Sequence, residues 1–255
     1  MKVLDADDWF NTESIPEFLD IISGASADVV LTCHHTINIS TGEIKNWRCF
    51  PDEPGREYTM EEIMGNWKNF DRSLTFHGIT YRTEFYREHG VKLAENVFYE
   101  DHEYATYPCC VAHTILPLGL FIYEYRIGDV SQSVSAENQL KRIDHTKMVI
   151  VKMLKNRVDI TDQWALEYCD KKIHLLLLSF MVTSMLCDPD RKKGVARVDQ
   201  LMGYIAKKDR HVVEMTMSHY KILKLLNAAH VGLEGYNRML NSKLYNKLRH
   251  NKSFD

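Results

Sequence analysis

The hydrophobic period of this chain changes once, near residue 135, and that change restricts the folds open to it. Ahead of the break, extended runs alternate with segments of helical period. Residues 28–39 (DVVLTCHHTINI) and 114–126 (TILPLGLFIYEYR) read as strands, with Val3 and Leu4 as a further strand end. Residues 14–22 read as a helix that tolerates Pro16 in its first turn. Thr59 and Glu62 form a capping-box pattern for a second helix. A third covers Thr83 to His89 and stops at Gly90, and a fourth starts at the acidic pair of YEDHEY. Such alternation predicts an α/β class for residues 1–135. Beyond the break only helical spacing remains. Leu140, Ile143, Val149, Ile150, Met153 and Leu154 follow it, as do Val212, Val213, Met215, Met217, Ile222 and Leu225. Residues 136–255 are therefore expected to be helical, with residues 188–194 (DPDRKKG) linking helical hairpins.

A chain of 255 residues with 45% hydrophobic content can build a substantial core. Its net charge of -3 is too small to point to nucleic acid, but the charge is uneven. Residues 188–255 carry 14 Lys+Arg against 7 Asp+Glu, a balance of +7, which leaves 18 against 28, or -10, for residues 1–187. A solvated helical surface and peripheral contact with an anionic membrane are the two readings of that basic tail. The most apolar stretch, residues 173–186 (IHLLLLSFMVTSML), has 14 residues between Lys172 and Asp188. Spanning a bilayer takes about 20, so a buried core helix is expected. Six cysteines without CxxC spacing, and no apolar leader ahead of Asp5, fit a reducing cytoplasm.

Two acidic constellations carry candidate chemistry. In Asp5-Ala6-Asp7-Asp8 the first and third residues would share a strand face, and converging carboxylates repel unless a cation lies between them. An acidic turn capping the following helix is the alternative. Glu100-Asp101 begins a predicted helix, where acidic residues suit the helix dipole. The same pair could instead supply a general base for a hydroxyl nucleophile. Cys33-His34-His35 would alternate across a strand, with His34 turned away from the other two, which argues against a metal site. Cys109-Cys110 reads as small apolar packing.

Taken in order, VLDADDWF, ADVVLT, FHGITYRTEF, FYEDHEYATYP and IYEYRIGDVSQSVS resemble the family 2 glycosyltransferases of the GT-A fold, the surface-polysaccharide type especially. The likeness covers about residues 1–145. It implies metal-dependent, inverting transfer of a sugar from a nucleotide-sugar donor to a glycan or lipid-linked hydroxyl acceptor. By this resemblance Asp7, with Asp5 and Asp8 in support, holds Mn or Mg at the donor diphosphate. Asp101, beside Glu100, is the base. His77 and Tyr81 border the acceptor, and Arg126, Gln132 and Ser133 lie near the diphosphate. The family's nucleotide-binding half, roughly 80 to 100 residues at about 30 per βαβ unit, would precede Asp5, where this sequence has four residues. The resemblance thus implies a truncated chain with weak donor binding and a sheet edge prone to self-association. The opening MKVLDADDW also looks like that of a haloacid-dehalogenase-type phosphatase, but Trp9 stands where that motif wants Thr or Val. A non-catalytic glycosyltransferase fragment is the third reading.

Overall fold

The computed structural model describes residues 1–129 and 135–242, so Gln132 and Ser133 lie outside the described residues. The chain divides into two compact units, Met1–Gln132 with Val151–Lys172, and Ser133–Ile150 with Ile173–Asp255. The first is mixed α/β with an open sheet, the second helical. The division does not fall at a single break near residue 135, because residues 151–172 join the sheet-bearing unit.

The first unit runs β1 (Trp9–Phe10), α1 (Ile15–Gly24), β2 (Val29–Asn38), β3 (Ile44–Trp47), α2 (Met60–Gly65), α3 (Trp67–Phe70), β4 (Ile79–Tyr81), α4 (Thr83–His89), α5 (Asp101–Tyr104), α6 (Tyr107–Cys110) and β5 (Ile115–Ile127). β2 is the centre of the sheet. It runs parallel to β5, with Val29 opposite Ile115 and Asn38 opposite Ile127. Its other edge takes β4 at Val29 to Leu31 and β3 at His34 to Ile37, both antiparallel. β1 closes the outer edge of β5 only at Tyr123 and Glu124. A parallel pair needs a long crossover, which the chain between β2 and β5 supplies.

The β-branched run forms β2 because a central strand buries both faces. Val29, Leu31, Thr32 and Cys33 are all at most 1% exposed. Phe18 of α1 packs on Val30, Leu116, Leu118 and Ile122. The β2–β5 register shifts between Leu31 and Cys33 and again between Cys33 and His34, opposite the Pro117 to Tyr123 stretch. Proline lacks a ladder donor, and a bulge re-aims the residues after it, here Tyr123 to Arg126. The capping box at α2 is formed, Thr59 and Glu62 each satisfying the other's backbone N–H. Tyr168 donates to the Ala105 carbonyl at 2.5 Å and Lys172 to the Leu74 carbonyl at 2.7 Å, which ties residues 151–172 into this unit.

One local expectation is overturned. Val3 and Leu4 are in no strand, and residues 6 and 7 form a turn closed by Asp8 N–H to the Asp5 carbonyl at 3.2 Å. Asp5 and Asp7 are therefore not neighbours on a strand face.

The remaining helices are α7 (Ala136–Lys141), α8 (Ile143–Arg157), α9 (Gln163–Val182), α10 (Arg191–Ala206), α11 (Arg210–Ala228) and α12 (Leu233–Leu240). α8 and α9 each begin in one unit and end in the other. A π-helical turn, Thr183–Cys187, extends α9. Widening the helix frees carbonyls. The Met185 carbonyl accepts from Asn227 Nδ2 at 2.7 Å and from Arg191 at 3.1 Å. Gly194 passes so close that a Cβ there would lie 2.0 Å from the Ser184 carbonyl oxygen. The expected linker at 188–194 is shorter than its composition suggested, because Asp190 accepts Lys193 N–H as an N-cap and the helix already starts at Arg191. In the apolar run Ile173, Leu177, Phe180 and Met181 are fully buried while Leu175 is 50% exposed. Among the described residues no helix is long and apolar enough to cross a membrane.

Candidate active site

The Asp5–Asp8 turn is held by β5. Tyr123 Oη accepts the Asp5 backbone N–H at 3.2 Å and donates to Asp8 Oδ2 at 2.6 Å. Asp8 Oδ1 takes the backbone N–H of Arg126 at 2.8 Å. Asp8 thus acts as the clasp of the turn, with both carboxylate oxygens engaged. Its carboxyl is raised by burial and by Asp7, against the pull of these two donors.

Asp5 keeps an exposed edge, yet its carboxyl is pushed up to about 6. Loss of solvent is the largest cause, followed by the negative charges of Asp8, Asp101, Asp7 and Glu100. The two constellations, nearly a hundred residues apart in sequence, meet in one field. Glu100 is raised in turn by burial and by Asp101 and Glu103.

Tyr99, just before this pair, has a left-handed backbone with φ of 74°. An aromatic residue there costs about 1–3 kcal/mol, a strain that must be offset by its surroundings. Glu103, fully buried, pairs with Lys152 at 2.6 Å and accepts Ala94 N–H at 3.2 Å, which anchors the short helix behind Glu100 and Asp101.

His77 belongs to a tight loop. A Cβ at Gly78 would lie 2.1 Å from the Ser73 carbonyl oxygen, so only glycine fits. Thr32 donates its N–H and hydroxyl to the Gly78 carbonyl at 2.9 and 3.1 Å. Lys2 donates to the carbonyls of His77 at 2.7 Å and Ile79 at 3.2 Å, and burial brings its ammonium down to about 7. The His77 ring lies 4.3 Å from Tyr125, 5.0 Å from Tyr123 and 5.0 Å from His34. Burial lowers its pKa to about 4, Asp101 opposing and Lys2 assisting, so the imidazole is neutral at pH 7.

The other named residues are placed differently. Tyr81 is 1% exposed and its hydroxyl donates to the Tyr104 carbonyl at 2.6 Å, a core position that offers nothing to an acceptor. Arg126 contributes its backbone N–H to Asp8, and its guanidinium stands 3.7 Å from Asp129. His34 stacks on His77, whereas Cys33 meets Cys49 and His35 Nδ1 meets Glu124 Oε2 at 2.9 Å.

Tyr123 and Tyr125 are the site residues that the motifs did not single out. Burial raises the Tyr125 phenol to about 12, helped by Asp8, Asp101, Asp5 and Asp7, so it stays protonated as a donor among carboxylates. The period-2 pattern of IYEYR already put both tyrosines on one face.

Among the described residues no three His, Cys, Asp or Glu side chains stand at ligand spacing. An all-protein cage therefore does not fit. A cation carried by one or two carboxylates and completed by substrate phosphates would relieve the mutual repulsion at Asp5. Asp5 and Asp7 are the residues that would hold it. Compared with models of known protein families and with curated protein sequences, the chain matches none.

Proposed function

We propose that this chain is a glycosyltransferase of the GT-A, family 2 type, transferring a sugar from a nucleotide-sugar donor to a hydroxyl acceptor with inversion. The single observation that carries this reading is the meeting of the Asp5–Asp8 turn with Glu100 and Asp101, felt by Asp5 as four neighbouring negative charges. The five motifs in their order supply the rest. No observation favours the phosphatase reading, in which a strand-borne Asp5 would attack phosphate, since Asp5 stands at a turn.

In the proposed reaction Asp101 takes the proton of the acceptor hydroxyl, and the oxygen attacks the anomeric carbon as the bond to the diphosphate breaks on the opposite side. A divalent cation at Asp5 and Asp7, when bound, would supply positive charge to the diphosphate. Neutral His77 and the Tyr125 phenol offer hydrogen bonds and ring faces to a sugar next to Asp101. Tyr123 and Asp8 keep the turn in place.

Calorimetric titration of the chain with UDP and other nucleoside diphosphates, with and without Mn, tests the reading. Mn-dependent binding that disappears in Asp7→Asn is the expected result. With a donor so identified, Asp101→Asn should retain nucleotide binding and lose transfer by on the order of 10²–10⁴-fold. A folded chain that binds no nucleoside diphosphate in the presence of Mn would overturn it.

A further inference from the structure

We propose that Cys33 and Cys49 form a dithiol that a hydroperoxide converts to an intramolecular disulfide, a modification site independent of the transfer chemistry. The two sulfurs lie 3.8 Å apart, already at contact distance, whereas a disulfide needs about 2.05 Å. Sixteen positions separate them, across the ribbon of β2 and β3, and they are 1% and 3% exposed. Cys49 Sγ lies 2.9 Å from the Leu118 carbonyl and Cys33 Sγ 3.9 Å from it, so both thiols point at one spot.

The pair is chemically asymmetric, as a stepwise oxidation needs. The Cys33 thiol is lowered by the Cys49 thiol, the Cys49 backbone N–H at 3.4 Å and the Arg48 guanidinium, against the effect of burial. Cys49 is pushed up, by its bond to Cys33 and by burial. Burial also raises Cys109, Cys110 and Cys187. Cys33 Sγ accepts a backbone N–H while Cys49 Sγ donates its proton to the Leu118 carbonyl, so Cys33 is the nucleophile. Its thiolate attacks one peroxide oxygen, the O–O bond breaks, and sulfenic acid forms with release of water or an alcohol. The Cys49 sulfur then attacks the Cys33 sulfur, the S–O bond breaks, and a second water leaves with the Cys49 proton. Two thiols lose two electrons and the peroxide gains them.

Cys33 adjoins His34, which stacks at 5.0 Å on the His77 ring, so the new bond lies one residue from a ring of the candidate site. The test is to treat the native chain with hydrogen peroxide, block remaining thiols in denaturant, and map peptides. The expected result is a fall from six free thiols to four, with a Cys33–Cys49 linked peptide that dithiothreitol releases. Cys33→Ser should retain all five of its thiols under the same treatment, whereas Cys49→Ser should form no link and leave Cys33 as a sulfenic acid that dimedone traps. Six thiols surviving peroxide that oxidises free cysteine, a link among Cys109, Cys110 and Cys169 instead, or Cys33 sulfinic acid without a link would each overturn the proposal. Peptide mapping of the unsubstituted chain separates these outcomes even where a variant misfolds.

Discussion

The carboxylates at the two ends of this chain live under different rules. In the helical unit several have a partner of opposite character. Asp188 meets Arg197 at 2.9 Å, Asp199 takes the Tyr220 hydroxyl at 2.6 Å and lies 3.5 Å from Lys224, and Asp190 and Asp209 cap helices. In the sheet-bearing unit the charges of Asp7, Asp8, Glu100 and Asp101 all act on Asp5, and Asp5, Asp8 and Glu100 are shifted toward the protonated form. A buried carboxylate matched to a cation, as Asp188 is to Arg197, builds scaffold. A group held together against its own repulsion, next to a strained residue, is the feature on which the proposed function rests.

Three experiments would break or sharpen that contrast. The largest effect on stability is expected in the helical unit, where Arg197→Ala leaves Asp188 buried without its cation and should lower the unfolding free energy by about 3 kcal/mol in urea titration. No loss would mean that the pairing there is ornamental. Next comes the clasp. Tyr123→Phe removes the donor to Asp8 and should cost about 1.5 kcal/mol, while Asp8 becomes free to titrate with its neighbours. The smallest effect has the opposite sign. Asp5→Asn should stabilise the chain at pH 7 by roughly 1 kcal/mol or less, since the exposed edge of Asp5 lets solvent screen its repulsion.

The pH dependence separates the two kinds of carboxylate further. Asp5 is raised in the folded chain, so its contribution is fully favourable below its ordinary value of 3.8 and is lost as pH rises through about 6. Asp28 is the reverse. Burial pushes it up, but Arg82 at 2.6 Å and the N–H groups of His113 and Thr114 override this, so its contribution is present above 3.8 and lost as pH falls below it. Thermal melts from pH 4 to 7 should show a slope that Asp5→Asn flattens. An unchanged slope would mean that Asp5 does not feel the cluster.

Several elements were legible because their signals are local. The helix stopped by Gly90, the capping box at Thr59 and Glu62, and the strand Ile115–Ile127 each depend on residues within a few positions. The failures share a different cause. Val3 and Leu4 resemble a strand end, but the chain after them turns because Tyr123, far along the sequence, supplies the hydrogen bonds that make a turn favourable. Tyr81 carries the same motif as His77, yet it points into the core, since β4 pairs along β2 with all three residues buried. The attachment of residues 151–172 to the sheet-bearing unit depends on Lys172 and Tyr168 finding backbone carbonyls, which helical periodicity cannot reveal.

By itself, the sequence determined the α/β character of the first part, the helical character of the second, and the identity of the acidic residues, because strand and helix periods and residue chemistry are properties of the chain alone. Only the tertiary structure decided which carboxylates share one field, that Asp8 is a clasp bound by Tyr123, that the Tyr125 phenol feels the same charges, and that Cys33 touches Cys49. Electrostatic repulsion, hydrogen bonding and thiol contact act through space over a few ångströms, so they depend on which distant residues the fold brings together.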